Sequence, residues 1–290
     1  QNRFVGADAG ASMTHQSKNT AVGYKAAENY YGGTDTAIGY HALRFGINVT
    51  PSTSTDEAMG RVAIGYNAMA GADQKGVGNI AIGNDAMLQS QTTIVGGAIA
   101  IGDSAMKNLT ATPGIYQIAI GKRAMLNGSP TQSIAIGFEA LRDSTVTGEI
   151  QVAIGYQAML GTVTGDNNIA IGRLAGSTVI GKSMNSSNIL IGFGATGAGA
   201  DTIGIGRSVN VGDNSGTSAI AIGTTAANSG NYSIALGAST SVSDDYSVAI
   251  GFGATTNAAN QLAFGTVSQN LGAIATQTIT PNKTWKVKIN

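Results

Sequence analysis

Residues 231–265 read NYSIALGASTSVSDDYSVAIGFGATTNAANQLAFG. The phrases SIALG, SVAIG and QLAFG end on Gly237, Gly251 and Gly265, at a spacing of 14 residues. Inside a phrase, large and small residues alternate: Val248 and Ile250 point one way, Ala249 and Gly251 the other. Alternation with branched residues predicts a strand. A helix is disfavoured, because β-branched residues and closely spaced glycines lower helix propensity. Fourteen residues hold two short strands and two turns, which is one coil of a narrow β-solenoid.

The same phrase runs through most of the chain. Upstream it reads AIGYHAL, AIGYNAM, AIGNDAM, AIGDSAM, AIGKRAM, AIGFEAL and AIGYQAM. Taking its glycine as an anchor gives Gly6, Gly23, Gly39, Gly65, Gly83, Gly102, Gly121, Gly137, Gly155, Gly172, Gly192, Gly206, Gly223, Gly237, Gly251 and Gly265. The steps range from 14 to 26 residues, so the upstream coils carry insertions. A catalytic motif is needed once, whereas a repeated phrase is a building unit. Three segments follow: insertion-bearing repeats over 1–191, regular repeats over 192–265, and a C-terminal cap or connector over 266–290.

We expect the branched face of each strand to fill the coil. The small face, Ala81, Gly83, Ala135, Gly137, Ala235, Gly237, Ala249 and Gly251, is then flat enough to pack against another copy at a trimer axis. Upstream, Leu43, Met69, Met87, Met106, Met125, Leu141 and Met159 share one slot and should form a continuous internal row, since Met fills irregular gaps.

Composition narrows the function. The 290 residues include 42 glycines and only 11% charged residues, against a usual charged share of about 25%. The formal net charge is zero, which argues against a nucleic-acid partner. No apolar run is long enough for a transmembrane helix, so no membrane insertion is expected. There is no cysteine, hence no disulfide, thiolate metal site or Cys nucleophile. Charged groups are scattered without a catalytic constellation, so neither an enzyme nor a cofactor is expected.

Single motifs dissolve into the repeat. GFGATG (192–197) matches a dinucleotide-binding pattern, but another repeat follows where a helix is required. His15 and His41 lack metal-site spacing, and Asp244–Asp245 reads as a solvated turn. Aromatics just after the anchors, such as Tyr24, Tyr40, Tyr66 and Tyr156, read as stacking between coils, with sugar platforms as the alternative.

Residues 231–265 resemble the head repeats of YadA-like trimeric autotransporter adhesins, whose pattern is roughly S-V-A-I-G-x-x-A-x-A. The upstream Leu/Met variant resembles the AIGY-x-AL repeat of phage tail fibres. The ending TPNKTWKVKIN is similar to endings of fibre-like phage structural proteins. The resemblance implies an all-β, left-handed parallel β-roll assembled as a parallel homotrimer. It implies a structural and receptor-binding fibre on a virion surface, with a bacterial adhesin head as the alternative. Both are extracellular.

In a solenoid, insertions become outer loops and often the binding face. We therefore take Tyr30, Tyr31, Phe45, Asn48, Thr50, Thr53, Asn108, Thr110, Tyr116, Asp166 and Asn167 as candidate contacts to a host glycan or other surface receptor. The final TWKVKIN alternates Trp285, Val287 and Ile289 with lysines, and reads as a strand that caps the last coil or docks an adjoining fibre protein.

Overall fold

The computed structural model describes residues 1–12, 18–29, 33–44, 60–71, 77–88, 96–109, 116–127, 131–143, 149–161, 163–177, 184–212, 217–265 and 277–278. The chain is all-β and forms two compact units, Gln1–Ser183 and Met184–Asn290. Both are parallel β-solenoids.

In the first unit, each phrase is a three-residue strand, from Arg3–Val5 through Val62–Ile64 and Ile80–Ile82 to Ile169–Ile171. Each strand pairs in parallel with the next, and like stacks on like: Ile80 on Ile99, Ala81 on Ala100, Ile82 on Ile101. The second unit repeats this from Ile189–Ile191 to Gln261–Phe264.

The other wall of the coil differs between the units. In the second unit it is a short parallel sheet of Thr196–Gly197, Asn210–Val211, Ala227–Asn228 and Ser241–Val242, so the expected two strands per coil are present. In the first unit the equivalent stretch is a turn. Its backbone still climbs coil to coil: the Met87 N–H donates to the Ala105 carbonyl, and Met106 to Ala124. These methionines adopt positive φ, 53° at Met87 and 52° at Met106. That costs on the order of 1–2 kcal/mol for an L-residue. Full burial of the side chain returns about 1.5–3 kcal/mol, so packing outweighs strain. Leu43, Met69, Met87, Met106, Met125, Leu141 and Met159 are all fully buried, the continuous row that was expected.

The two strand faces are the reverse of expectation. Ala81, Ala135, Ala235 and Ala249 have 0% exposure within the single chain and fill the coil, so they cannot reach a second copy. The branched residues face outward: Ile101, Ile120 and Ile136 are each 36% exposed. The reason is width. Opposed strand layers normally stand about 10 Å apart, and a coil of this size already holds the Met row opposite the strand. Alanine fits the remaining depth in most coils, and the larger Leu190 is buried at this position where Gly197 and Gly204 leave it room. Gly83, Gly137, Gly237 and Gly251 are partly exposed, and each packs against the backbone of the following anchor glycine.

A third internal row was not anticipated. The residue before each strand, four before the anchor, is buried and mostly polar: Asn19, Asp35, Arg61, Asn79, Gln117, Ser133, Gln151 and Asn168, then Asn188, Thr202, Ser233, Ser247 and Gln261. Several of these side chains accept the backbone N–H of the same position one coil on, as Asn19 does from Asp35 (2.9 Å), Asn79 from Ala98 (2.9 Å) and Ser133 from Gln151 (2.9 Å). This satisfies donors that a buried turn would otherwise orphan. Asp35 also faces the guanidinium of Arg61 at 3.5 Å, both side chains 1% exposed. Burial pushes the Asp35 carboxyl up and the Arg61 guanidinium down, and their mutual attraction opposes both shifts.

At the C-terminal end the path reverses. Gln277–Thr278 pairs antiparallel with Gln261–Phe264, the one antiparallel pairing among the described residues. Trp285 lies outside the described residues.

Candidate interaction faces

Parity along the strand fixes what each coil shows to solvent. Counting from the anchor, the residues one and three before it point outward, while those two and four before it point inward. The outward pair forms two parallel rows, mostly of Val and Ile, for example Ile99 with Ile101 and Ile118 with Ile120, with Arg3, Thr20 and Thr36 in the first coils. In each unit these rows make a flat apolar strip. Contiguous exposed apolar surface on this scale marks an interaction site.

The strip has two rims. On one side runs the residue just after the anchor: Tyr24, Tyr40, Tyr66, Tyr156, Phe193 and Phe252 are 41–67% exposed. These rings stack on one another. Tyr40 and Tyr66 are 5.1 Å apart at 4°, Tyr24 and Tyr40 5.2 Å apart, and Phe138 and Tyr156 5.2 Å apart at 12°. Stacking between coils, the reading preferred above, is what the geometry gives. In the Tyr24–Tyr40–Tyr66 and Phe138–Tyr156 stacks the ring faces between coils are turned toward each other, and only the outer faces are open to a sugar. Arg173 sits over Tyr156 and Arg207 over Phe193, at 5.5 and 5.9 Å, within cation–π range.

On the other side runs the residue five before the anchor. It sits in the left-handed region, φ 63° at Tyr116, 53° at Tyr232 and 55° at Tyr246, and these rings are 58–65% exposed. The bend turns the chain into the strand.

Farther around the coil, charged side chains link successive coils of the first unit. Glu28 binds Arg44 at 2.7 Å and Asp85 binds Lys107 at 2.7 Å. Glu139 is held by Arg142 (2.6 Å), Arg123 (3.2 Å) and Gln157 (2.8 Å). Burial alone would raise the Glu139 carboxyl, but the hydrogen bonds from Gln157, Arg142 and Arg123 outweigh it and hold it below the usual glutamate range. His41 packs on Tyr40 at 3.9 Å, and burial lowers its pKa.

Of the candidate receptor contacts, Asn108, Tyr116, Asp166 and Asn167 are described and all are exposed. Asp166 accepts the Glu149 backbone N–H at 2.8 Å, and Asn167 donates its backbone N–H to the Glu149 carbonyl at 2.9 Å, so this corner is tied to the preceding coil. Tyr30, Tyr31, Phe45, Asn48, Thr50, Thr53 and Thr110 lie outside the described residues, as does His15. Asp245 accepts both the backbone and side-chain N–H of Asn231, at 2.8 and 2.9 Å, a bond between coils. No group of three or more His, Cys, Asp or Glu able to hold a metal exists among the described residues. No helix there is long and apolar enough to cross a membrane.

The outward strip was legible as a row but assigned to the wrong side. The polar row was missed, although its signal was present: a polar residue at a fixed offset before nearly every strand.

No curated protein and no solved structure matches the chain. The family model of the YadA head domain repeat matches it twice, over residues 215–239 and 229–254. Those segments cover the coils around Gly223, Gly237 and Gly251, whose strands stack Ile220 on Ile234 and Ile234 on Val248. The chain therefore carries YadA head repeats, within a parallel β-solenoid whose other described coils follow the same strand register.

Proposed function

We propose that this chain is the β-roll shaft of a homotrimeric surface fibre that displays polar loops for attachment to a host surface. The observation that carries this reading is the outward Val/Ile strip. A single chain leaves it in water, and three copies wound in parallel around a common axis cover it. The trimer axis is then lined by residues such as Ile120 and Ile136. It is not lined by Ala135 or Ala249, which the single chain already buries. The matched repeat supports the reading, since YadA-type head domains form trimers. A left-handed coil path belongs to the same reading.

The insertions are the variable part of otherwise uniform coils and supply the receptor-facing surface. They are rich in Thr, Ser, Asn and Gly, with scattered Tyr, which suits a glycan met through hydroxyls and amides. The 277–278 strand covers the edge of the last parallel rung, consistent with a C-terminal cap that protects an open sheet edge. An adjoining fibre protein is the alternative partner of this segment.

The first assignment is a phage tail fibre, resting on the Leu/Met variant of the upstream repeat. The second is the head of a bacterial adhesin, favoured by the matched copies at 215–254. Gold-labelled antibody against the chain decides between them in electron microscopy. Label on tail tips of phage particles supports the fibre. Label on intact bacterial cells that release no phage supports the adhesin. Label on neither overturns the surface-fibre reading.

A further inference from the structure

In the trimer proposed above, each Val/Ile strip forms one wall around the axis. Rotational closure with parallel chains then brings the rim after the anchor on one copy to the rim five before the anchor on its neighbour. We infer that these two rims form the seam between copies, and that their residues are matched level by level. This seam rests on the trimer reading and adds which residues meet.

Two rows that the single chain keeps apart are complementary at several levels. The rims lie on opposite sides of a strand, on the order of 15–20 Å from each other, so nothing inside one chain requires them to match. Yet large faces small: Tyr66 is level with Gly60, and Tyr232 with Ala238. One level sets opposite charges together, Arg207 with Asp201, and two set a lysine level with a tyrosine ring, Lys122 with Tyr116 and Lys18 with Tyr24. Other levels set large beside large: Tyr246 and Phe252 are both aromatic, and Tyr156 is level with the exposed Ile150. No level with both residues described sets like charges together. The rim residues are exposed or half-exposed, which leaves surface on each for a neighbour. A dry apolar wall flanked by Tyr, Phe and Arg is also the composition of a protein–protein interface.

The chain has no cysteine, so introduced pairs report cleanly. The test places Tyr232→Cys and Ala238→Cys in one chain, oxidises the assembled protein and runs it denatured without reductant. A disulfide needs Cα atoms about 4.4–6.8 Å apart, which the width of the strand forbids within a chain. The expected result is a covalent trimer from the double variant and none from either single variant. The pair Ala238→Cys with Tyr246→Cys covers an offset of one coil. As a second measurement, Asp201→Arg and Arg207→Asp should each raise the concentration at which the trimer dissociates by roughly tenfold, and the double reversal should restore it. A chain that is trimeric by light scattering but yields no covalent trimer from the Tyr232/Ala238 cysteine pair, or is cross-linked only through the offset pair, or shows no rescue by the double reversal, overturns the level-matched seam and leaves the trimer standing. A monomeric wild type overturns the trimer reading and the seam with it.

Discussion

A Cβ placed on Gly83 would lie 2.5 Å from the carbonyl oxygen of Gly102, the anchor of the next coil. Gly83 also has φ +137°. Two constraints thus coincide at one atom: the backbone conformation disfavours an L side chain, and the next rung leaves no room for one. The same approach recurs along the anchors, as from Gly102 to Gly121, where a Cβ would meet the next carbonyl oxygen at 2.5 Å. The repeated glycine is the contact distance of the solenoid written into the sequence.

Gly83→Ala should therefore pull two rungs apart, at a cost of at least about 3 kcal/mol from strain and overpacking together. Gly78 provides the contrast. It has φ +70° with nothing within 4 Å of its would-be Cβ, so Gly78→Ala should cost only about 1 kcal/mol. Thermal unfolding of the two variants should separate them clearly, and equal losses would show that crowding at the anchor is not the cause.

Met106 is fully buried in the internal row. Met106→Ala should cost about 2–5 kcal/mol through lost burial and the cavity left behind. Met106→Leu should cost under about 1.5 kcal/mol, because Leu43 and Leu141 already occupy this slot in other coils. Denaturant melts of the pair test whether the row is a packing element with a defined volume.

Asp35→Asn should destabilise the first unit by about 3–5 kcal/mol, because it leaves the Arg61 charge buried opposite a neutral group. Adding Arg61→Gln removes that charge and puts in the row a residue it already holds at Gln117 and Gln151. The double variant should be more stable than Asp35→Asn alone. A double variant that is less stable would mean that the ion pair itself holds these coils together.

Glu139 has its carboxyl below the ordinary range, so it contributes stability that is complete above the unfolded glutamate pKa. That contribution is lost as pH falls through the lowered folded value. Glu139→Gln should flatten the acid limb of the stability curve. Unfolding followed between neutral and acid pH checks this, and an unchanged acid limb would exclude Glu139 as its source.

Period two and the anchor spacing were enough to find the strands, because alternation and repeat length survive without knowledge of neighbours. Which face is inside was not readable from Ala249 and Ile250 alone. The usual rule, large residues in, fails where the opposite wall leaves little depth, and Leu190 enters only where Gly197 and Gly204 face it. Met87 showed in sequence that the row is apolar, but not that a turn at positive φ replaces a second strand there. The aromatic rims were visible as single residues, but their stacking depends on the coil rise. Asn79 and its row were legible as an offset, and their role emerged only once side chains such as Asn19, Asn79 and Ser133 were seen to bind the next coil.

The account turns on the outward strip being an interface. Light scattering on the full chain, beside Ile120→Lys and Ile136→Lys, tests this most directly. Both residues lie in one outward row, and each substitution sets a charge there without touching the coil interior. The account predicts a wild-type mass about three times 29.1 kDa. It also predicts that both variants fall to monomers or aggregate at the uncovered face, because a buried like-charge cluster costs several kcal/mol. A stable monomeric wild type, or lysine variants that remain trimers of unchanged stability, would contradict it.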